Sequence, residues 1–412
     1  MFIYNIGIFL LGFLFRLASL FNPKAKLWVR GRKNWKRELE SALKGNVKPV
    51  AWVHAASLGE FEQGREVIEK IKEQYADYFV LLTFFSPSGY TVRKNYDKAD
   101  YVCYLPLDTP SNAKAFARIV KPKVAIFVKY EFWINLLNYA YKGGCRLYVV
   151  SAIFRQNSIF FRFYGGIFRK LLNRFSQIFV QNMNSKQLLK KINVENVVVS
   201  GDTRFDRVHK IASLDIKLDI VEKFVGSTSC LVAGSTWAED EKILVDLIEK
   251  NKDVKFIIAP HELDSKRIDK LREKITGESC LYTLSTSQTD FSDAQVMIID
   301  TIGVLSKVYK YGSWAYIGGG FGVGIHNTLE AATFSLPLAF GLNYHKFFEA
   351  CAMVDLGVAR SVANADELIS WFESVDTQSD NYKNQRKDLA NFVAGNLGAS
   401  DKIVAEIFAK NR

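Results

Sequence analysis

Apolar residues in this chain fall into two alternating rhythms. Short unbroken runs recur at residues 49–54, 79–84, 101–105, 124–128, 147–151, 178–181 and 197–200, and each reads as a strand buried on both faces. Between them lie stretches such as 61–75 and 112–120, whose apolar positions repeat at helical spacing. This alternation predicts parallel strands joined by right-handed helical crossovers, a doubly wound sheet. A polar, strand-poor stretch near 206–228 interrupts it, and the pattern resumes at 230–233, 254–259, 296–299, 315–317 and 337–340. The expected α/β organisation is two Rossmann-like parallel-sheet domains, residues 49–210 and 229–412, with a hinge at 211–228.

The first 48 residues follow a different rule. Residues 2–21 are apolar except at points such as Asn5 and Arg16, close to the roughly 20 residues that a spanning helix needs. Lys24, Lys26, Arg30, Arg32, Lys33, Lys36 and Arg37 follow without an acid among them, and Trp28 and Trp35 lie between. A secretory signal would carry its positive charge before the apolar run and a cleavage site after it; neither is present. Residues 1–22 are therefore expected to be an uncleaved N-terminal membrane-anchor helix, either spanning the bilayer or lying in its interface. Residues 23–48 form a basic juxtamembrane segment, with the remainder on the cytoplasmic face.

Length and charge sharpen this picture. A chain of 412 residues exceeds the roughly 250–300 at which single cores stop growing. With 49% apolar and 24% charged residues, the chain is not a disordered one. The net charge of +12 suits an anionic partner such as a lipid surface, a nucleotide phosphate or nucleic acid. Residues 154–174 interleave aromatic and basic side chains without an acid, which suits lipid headgroups or single-stranded nucleic acid; the N-terminal segment favours lipid. Five dispersed cysteines without a CxxC pair indicate reduced thiols and neither a disulfide framework nor a zinc site.

Candidate chemistry gathers where predicted strands end. His54-Ala55-Ala56-Ser57-Leu58-Gly59-Glu60 leaves the first strand through a glycine turn and opens a helix. A carboxylate there can act as a general base, or it can simply complement the helix dipole. Residues 318–330 contain a glycine run followed by Ile325-His326-Asn327-Thr328-Leu329-Glu330. The run permits close approach of backbone to an anion, with N–H donors at Asn327 and Thr328 and a ribose acceptor at Glu330. Its spacing is not that of the dinucleotide fingerprint, and no Walker lysine follows. Gly234-Ser235-Thr236-Trp237, Pro260-His261-Glu262 and Asp300-Thr301-Ile302-Gly303 end other strands of the same domain, and such loops converge in nucleotide pockets. Arg204, in Gly201-Asp202-Thr203-Arg204-Phe205-Asp206, is a candidate cation for a donor carboxylate or leaving phosphate. Glu239-Asp240-Glu241 reads as a first-turn dipole complement. No Asp-x-Asp pair of the kind that holds a metal on nucleotide-sugar phosphates is present, so no metal and no cofactor is expected.

Taken in order, HAASLGE, YLPLD, Glu131-Phe132-Trp133, GDTRFD, GSTWAEDE, DTIG and GIHNTLE resemble the transferases of 3-deoxy-D-manno-octulosonic acid (Kdo) over nearly the whole chain. The resemblance implies a GT-B fold with the active site between two domains that close about the hinge. It also implies an inverting, metal-independent transfer of Kdo from CMP-Kdo to a phosphorylated lipid A precursor at the cytoplasmic face of the inner membrane. It places the catalytic base on Glu60, a second cleft glutamate on Glu131 and the cleft cation on Arg204. Donor contacts fall on Ser235, on Pro260 and His261, on Ile302, Gly303 and Val304, and on Asn327, Thr328, Leu329 and Glu330. Three positions depart from the family pattern: Lys129 and Val304 stand where glutamates are usual, and His261 where arginine is usual. Two other readings remain open at this point: a membrane-associated GT-B enzyme using a UDP-sugar, and a non-catalytic binder of lipid or nucleic acid.

Overall fold

The computed structural model describes residues 1–129, 131–322 and 324–409. The chain divides into two compact units, Met1–Asp206 with Leu397–Arg412, and Arg207–Asn396. Unit 1 is built on seven parallel strands: β1 (Val50–Ala55), β2 (Phe79–Phe84), β3 (Tyr101–Tyr104), β4 (Pro122–Val128), β5 (Arg146–Ala152), β6 (Phe175–Val180) and β7 (Val197–Val199). Their order is β3-β2-β1-β4-β5-β6-β7, so the winding reverses between β1 and β4. Alternate side chains serve opposite faces of this sheet. Trp52, Phe127 and Leu147 enter one core, while Val53, Ile126 and Val150 enter the other.

Unit 2 repeats the plan with β8 (Cys230–Thr236), β9 (Lys255–Pro260), β10 (Glu278–Leu281), β11 (Ala294–Ile298), β12 (Trp314–Ile317), β13 (Leu338–Phe340) and β14 (Ala359–Ser361). Their order is β10-β11-β9-β8-β12-β13-β14, all parallel, reversing between β8 and β12. In open α/β sheets the carboxyl ends of the strands beside such a reversal are where ligands bind, because the crossovers leave on opposite sides there and open a crevice.

The unit boundaries differ from the expected ones at two places. The expected hinge, residues 211–228, falls in unit 2, where the helix Asp219–Val225 buries Val221, Phe224 and Val225, and Leu218 N–H donates to the Tyr311 hydroxyl at 2.7 Å. The last helix, Ala399–Phe408, belongs to unit 1, where Ile403, Val404, Ile407 and Phe408 complete the core beside Val67 and Ile71. Phe408 stacks on Tyr75 at 4.6 Å, and the Asp206 carboxylate accepts from the Gly398 and Ser400 N–H groups at 2.7 Å each.

The N-terminal segment is also arranged differently. The helix α1 (Phe2–Ala18) has 17 residues, and no helix among the described residues is long and apolar enough to cross a membrane. One stripe of α1 docks on unit 1 through polar contacts as well as apolar ones. Tyr4 Oη donates to Asp108 Oδ2 at 2.6 Å, Asn135 Nδ2 donates to Asn5 Oδ1 at 2.9 Å, and Ile8 is buried. Asp108 itself caps the helix Ile134–Lys142 by accepting from the Asn135 and Leu136 N–H groups, and burial pushes its carboxyl up to about 6. The opposite stripe, including Phe9, Leu10, Phe13 and Leu17, is exposed.

Two expected headgroup contacts turn inward instead. Arg32, in the turn between α2 (Pro23–Arg30) and α3 (Trp35–Ala42), donates to the carbonyls of Trp28, Phe85 and Leu105 and sits 3.9 Å over the buried Trp28 ring. Desolvation in that aromatic cage lowers its guanidinium to about 9. In residues 154–174, Phe154 and Phe160 are buried and Arg169 ties local carbonyls, which leaves Phe163 and Tyr164 as exposed aromatics.

Candidate active site

Four side chains of unit 1 gather at the β1–β4 reversal. His54 lies near the end of β1, Glu60 in the first turn of α4 (Leu58–Gln74), and Lys129 and Glu131 just after β4. Glu60 Oε2 accepts from the Ala56 N–H at 2.6 Å, which folds the carboxylate back over the strand-to-helix turn. Burial pushes its carboxyl above the ordinary value; the Ala56 bond draws it back, Glu131 adds to the rise, and His54 and Lys129 oppose it. A carboxylate raised in this way is a better proton acceptor near neutral pH than an ordinary surface glutamate. Capping and basicity thus coexist at residue 60, since one oxygen holds the turn.

Glu131 is oriented from below. Its Oε2 lies 3.3 Å from His54 Nε2 and accepts from the Trp133 indole N–H at 3.3 Å. His54 is in turn fixed through Nδ1, 3.1 Å from the Thr83 carbonyl and 3.0 Å from its hydroxyl, which also accepts from Trp52 Nε1. A buried chain from β2 through His54 therefore sets the second carboxylate. His54 was not among the expected site residues, because inside an apolar run a lone histidine reads as core.

Arg204 is close by but already engaged. Its Nε and Nη2 donate to Asp202 Oδ2 at 2.9 and 2.6 Å, and its own N–H donates to Asp202 Oδ1 at 3.0 Å. Lys129 has φ 63°, and Ser151 at the end of neighbouring β5 has φ 54°. Burial lowers the Lys129 ammonium, an effect that Glu60 opposes and Arg204 reinforces.

In unit 2 the expected donor residues meet around the β8–β12 reversal. Ser235 takes φ 55° at the end of β8. His261, following β9, donates its N–H to the Thr236 carbonyl at 2.9 Å and stacks on both Trp237 and His326, with ring centroids 4.7 and 4.3 Å away. The Trp237 indole N–H lies 3.0 Å from His326 Nε2. An indole can only donate, so Nε2 accepts and the ring proton sits on Nδ1. Burial, reinforced by His261, lowers His326 to about 4, which keeps it neutral at pH 7. The sequence offered no sign of this three-ring stack, whose members are far apart along the chain.

The glycine run works differently from expectation. A Cβ at Gly318 would lie 2.3 Å from the Ser235 carbonyl oxygen, and one at Gly320 2.5 Å from Gly341 Cα, so these glycines serve close backbone packing between neighbouring strand ends. Asp240, expected as a dipole complement, organises the loop instead. Its Oδ2 accepts from the Trp237 and Gly319 N–H groups and its Oδ1 from the Tyr316 hydroxyl, each at 2.8 Å. The helix after the run, Leu329–Ala332, is one turn long. Asn327 Oδ1 accepts from the Leu329 N–H and its amide donates to Glu330, while Thr328 is fully buried. Ile302 is exposed, Gly303 has φ 92°, and Val304 precedes the short helix Leu305–Val308; the Leu305 side chain abuts Gly234. Among the described residues no group of three or more His, Cys, Asp or Glu side chains is placed to hold a metal.

Two doubly wound sheets, each with polar residues at its reversal, define a protein of the GT-B class. A solved structure of an epimerase that is titled as acting on UDP-N-acetylglucosamine, from Listeria monocytogenes, matches 88% of this chain and 97% of its own at 13% identity and a TM-score of 0.62, which is a likeness of fold alone. Residues 33–207 match the family model described as 3-deoxy-D-manno-octulosonic-acid transferase. The chain is 26% identical over 335 residues to the transferase of that name from Aquifex aeolicus, covering 79% of this chain and 85% of that one. It is also 26% identical over 364 residues to its namesake from Rickettsia bellii, covering 86% of each. Over these stretches the chain is similar to the 3-deoxy-D-manno-octulosonic acid (Kdo) transferases.

Proposed function

We propose that this protein transfers Kdo from CMP-Kdo to a hydroxyl of a lipid A precursor, inverting the anomeric centre and using no metal. The observation that carries the reading is the cluster at the β1–β4 reversal: Glu60, raised by burial, beside Glu131 held by His54, all within the stretch that matches the family. Glu60 takes the proton of the attacking hydroxyl as the bond to the Kdo anomeric carbon forms, and CMP departs with the electron pair of the broken bond. Neutral His326, with its proton on Nδ1, supplies a donor for the nucleotide, and Ser235, His261 and the turn at Ile302–Val304 line the same strand ends. Turnover of CMP-Kdo with a tetraacylated lipid A precursor tests this, with the product read by mass spectrometry. A Kdo-bearing lipid is the expected result; turnover of a UDP-sugar with no Kdo product would overturn it.

The protein works at the cytoplasmic face of the inner membrane, with α1 lying in the lipid interface rather than across it. Support comes from the exposed stripe of Phe9, Leu10, Phe13 and Leu17, opposite a stripe tied to unit 1, with basic residues on the following turns. Vesicles containing anionic lipid are expected to bind the protein more tightly than neutral ones. Serine at Phe9 and Phe13 weakens that binding by roughly tenfold or more, since each phenylalanine buried is worth about 1.5–3 kcal/mol. Equal flotation of the variant and the parent would refute the placement of α1.

A further inference from the structure

The proposed transfer involves three anionic groups, the carboxylate of Kdo, the phosphate that joins it to cytidine and the phosphate of the acceptor, and a cation beside Glu60 is placed to meet one of them. Arg204, the residue expected to do so, already holds its guanidinium on Asp202 Oδ2. Lys129 is the other cation beside Glu60. Among the described residues its ammonium makes no hydrogen bond or ion pair, although its side chain is partly buried. A half-desolvated charge left without a partner is costly unless a ligand supplies one.

The backbone gives an independent reason. Lys129 occupies the left-handed region at φ 63°, a conformation that glycine adopts freely and a lysine does not. Its N–H donates to the Val150 carbonyl at 2.8 Å, so the sheet fixes this conformation. Ser151, the next residue along β5, is also left-handed, so two adjacent strand ends carry backbone strain where a doubly wound sheet takes its ligand. Glycine at position 129 would remove the strain; a lysine that remains there in spite of it has a use for its side chain.

We propose that Lys129 is the substrate-anion site of unit 1, binding a carboxylate or phosphate next to Glu60. This rests on the reading of the chain as a Kdo transferase, so the test separates the two. In the whole protein, Lys129 is acetylated with acetic anhydride and quantified by peptide mass spectrometry, alone and with CMP-Kdo, lipid A precursor or inorganic phosphate. Labelling of the free protein that at least one probe slows several-fold supports the site. CMP-Kdo protection identifies the donor as the occupant, and protection by the precursor identifies the acceptor. No labelling of the free protein, or no protection by any probe, overturns the site, and neither outcome depends on turnover. If protection occurs but the wild type makes no Kdo-lipid, the proposed function falls and the site stands.

Kinetics add a second readout. Lys129→Met is expected to raise KM for the protecting substrate by roughly 10- to 100-fold, as loss of a hydrogen bond to a charged group does, with a smaller change in kcat. Lys129→Arg restores part of the loss. Lys129→Gly raises KM in the same way while raising Tm, because it relieves the backbone. A KM unchanged in both the Met and Gly variants would show that the lysine touches neither substrate.

Discussion

Glu60→Gln is expected to lower turnover by about 100- to 10,000-fold while the protein folds as before, because glutamine keeps an oxygen for the Ala56 N–H but cannot take up the acceptor's proton. The substitution thus separates the two roles that geometry gives this side chain. Circular dichroism and thermal unfolding check the first, and product formation the second. The wild-type rate should also fall as pH drops through the Glu60 pKa, which burial and Glu131 raise above that of an ordinary glutamate. Removing the opposing charge in Lys129→Met should move this acid limb further upward. Turnover within about tenfold of wild type in the Gln variant would move the base elsewhere, to Glu131 first.

Asp240→Ala carries the largest expected effect on stability. Three donors, the Trp237 and Gly319 N–H groups and the Tyr316 hydroxyl, converge on its carboxylate in the interior of unit 2. Each stranded donor costs about 1–3 kcal/mol, so a loss of roughly 3–5 kcal/mol is expected, a large share of the 5–15 kcal/mol that typically holds a protein folded. Asp240→Asn should recover much of the loss, because its amide oxygen can still accept from both N–H groups and its NH2 can donate to the Tyr316 hydroxyl. Denaturant unfolding measures the loss, and binding of CMP should weaken in parallel as the Gly319 loop loosens. An unmoved midpoint would mean that water takes over all three bonds.

The strands buried on both faces were legible because their apolar runs are unbroken, as in Phe79–Phe84 and Cys230–Thr236. The two missed, β10 and β14, lie at sheet edges, where Glu278 and Arg360 face solvent and no apolar run is required. Residues 2–21 misled for a related reason. Tyr4 and Asn5 point inward to Asp108 and Asn135 while phenylalanines face out, an arrangement set by partners about 100 residues or more away. Glu60 and Glu131 stood out because each sits in a local motif. His54, the Trp237–His261–His326 stack and the left-handed Lys129 did not, because each depends on neighbours that only the fold supplies.

The return of residues 397–409 to unit 1 bears on how the chain is made. Unit 2 is one continuous stretch and emerges from the ribosome whole. Unit 1 starts first, yet its second core stays open beside Val67 and Ile71 until Ile403, Val404 and Phe408 have been synthesised. Its nascent sheet therefore keeps a greasy flank uncovered throughout translation of some 190 intervening residues. That is an interval in which a chaperone has reason to hold it.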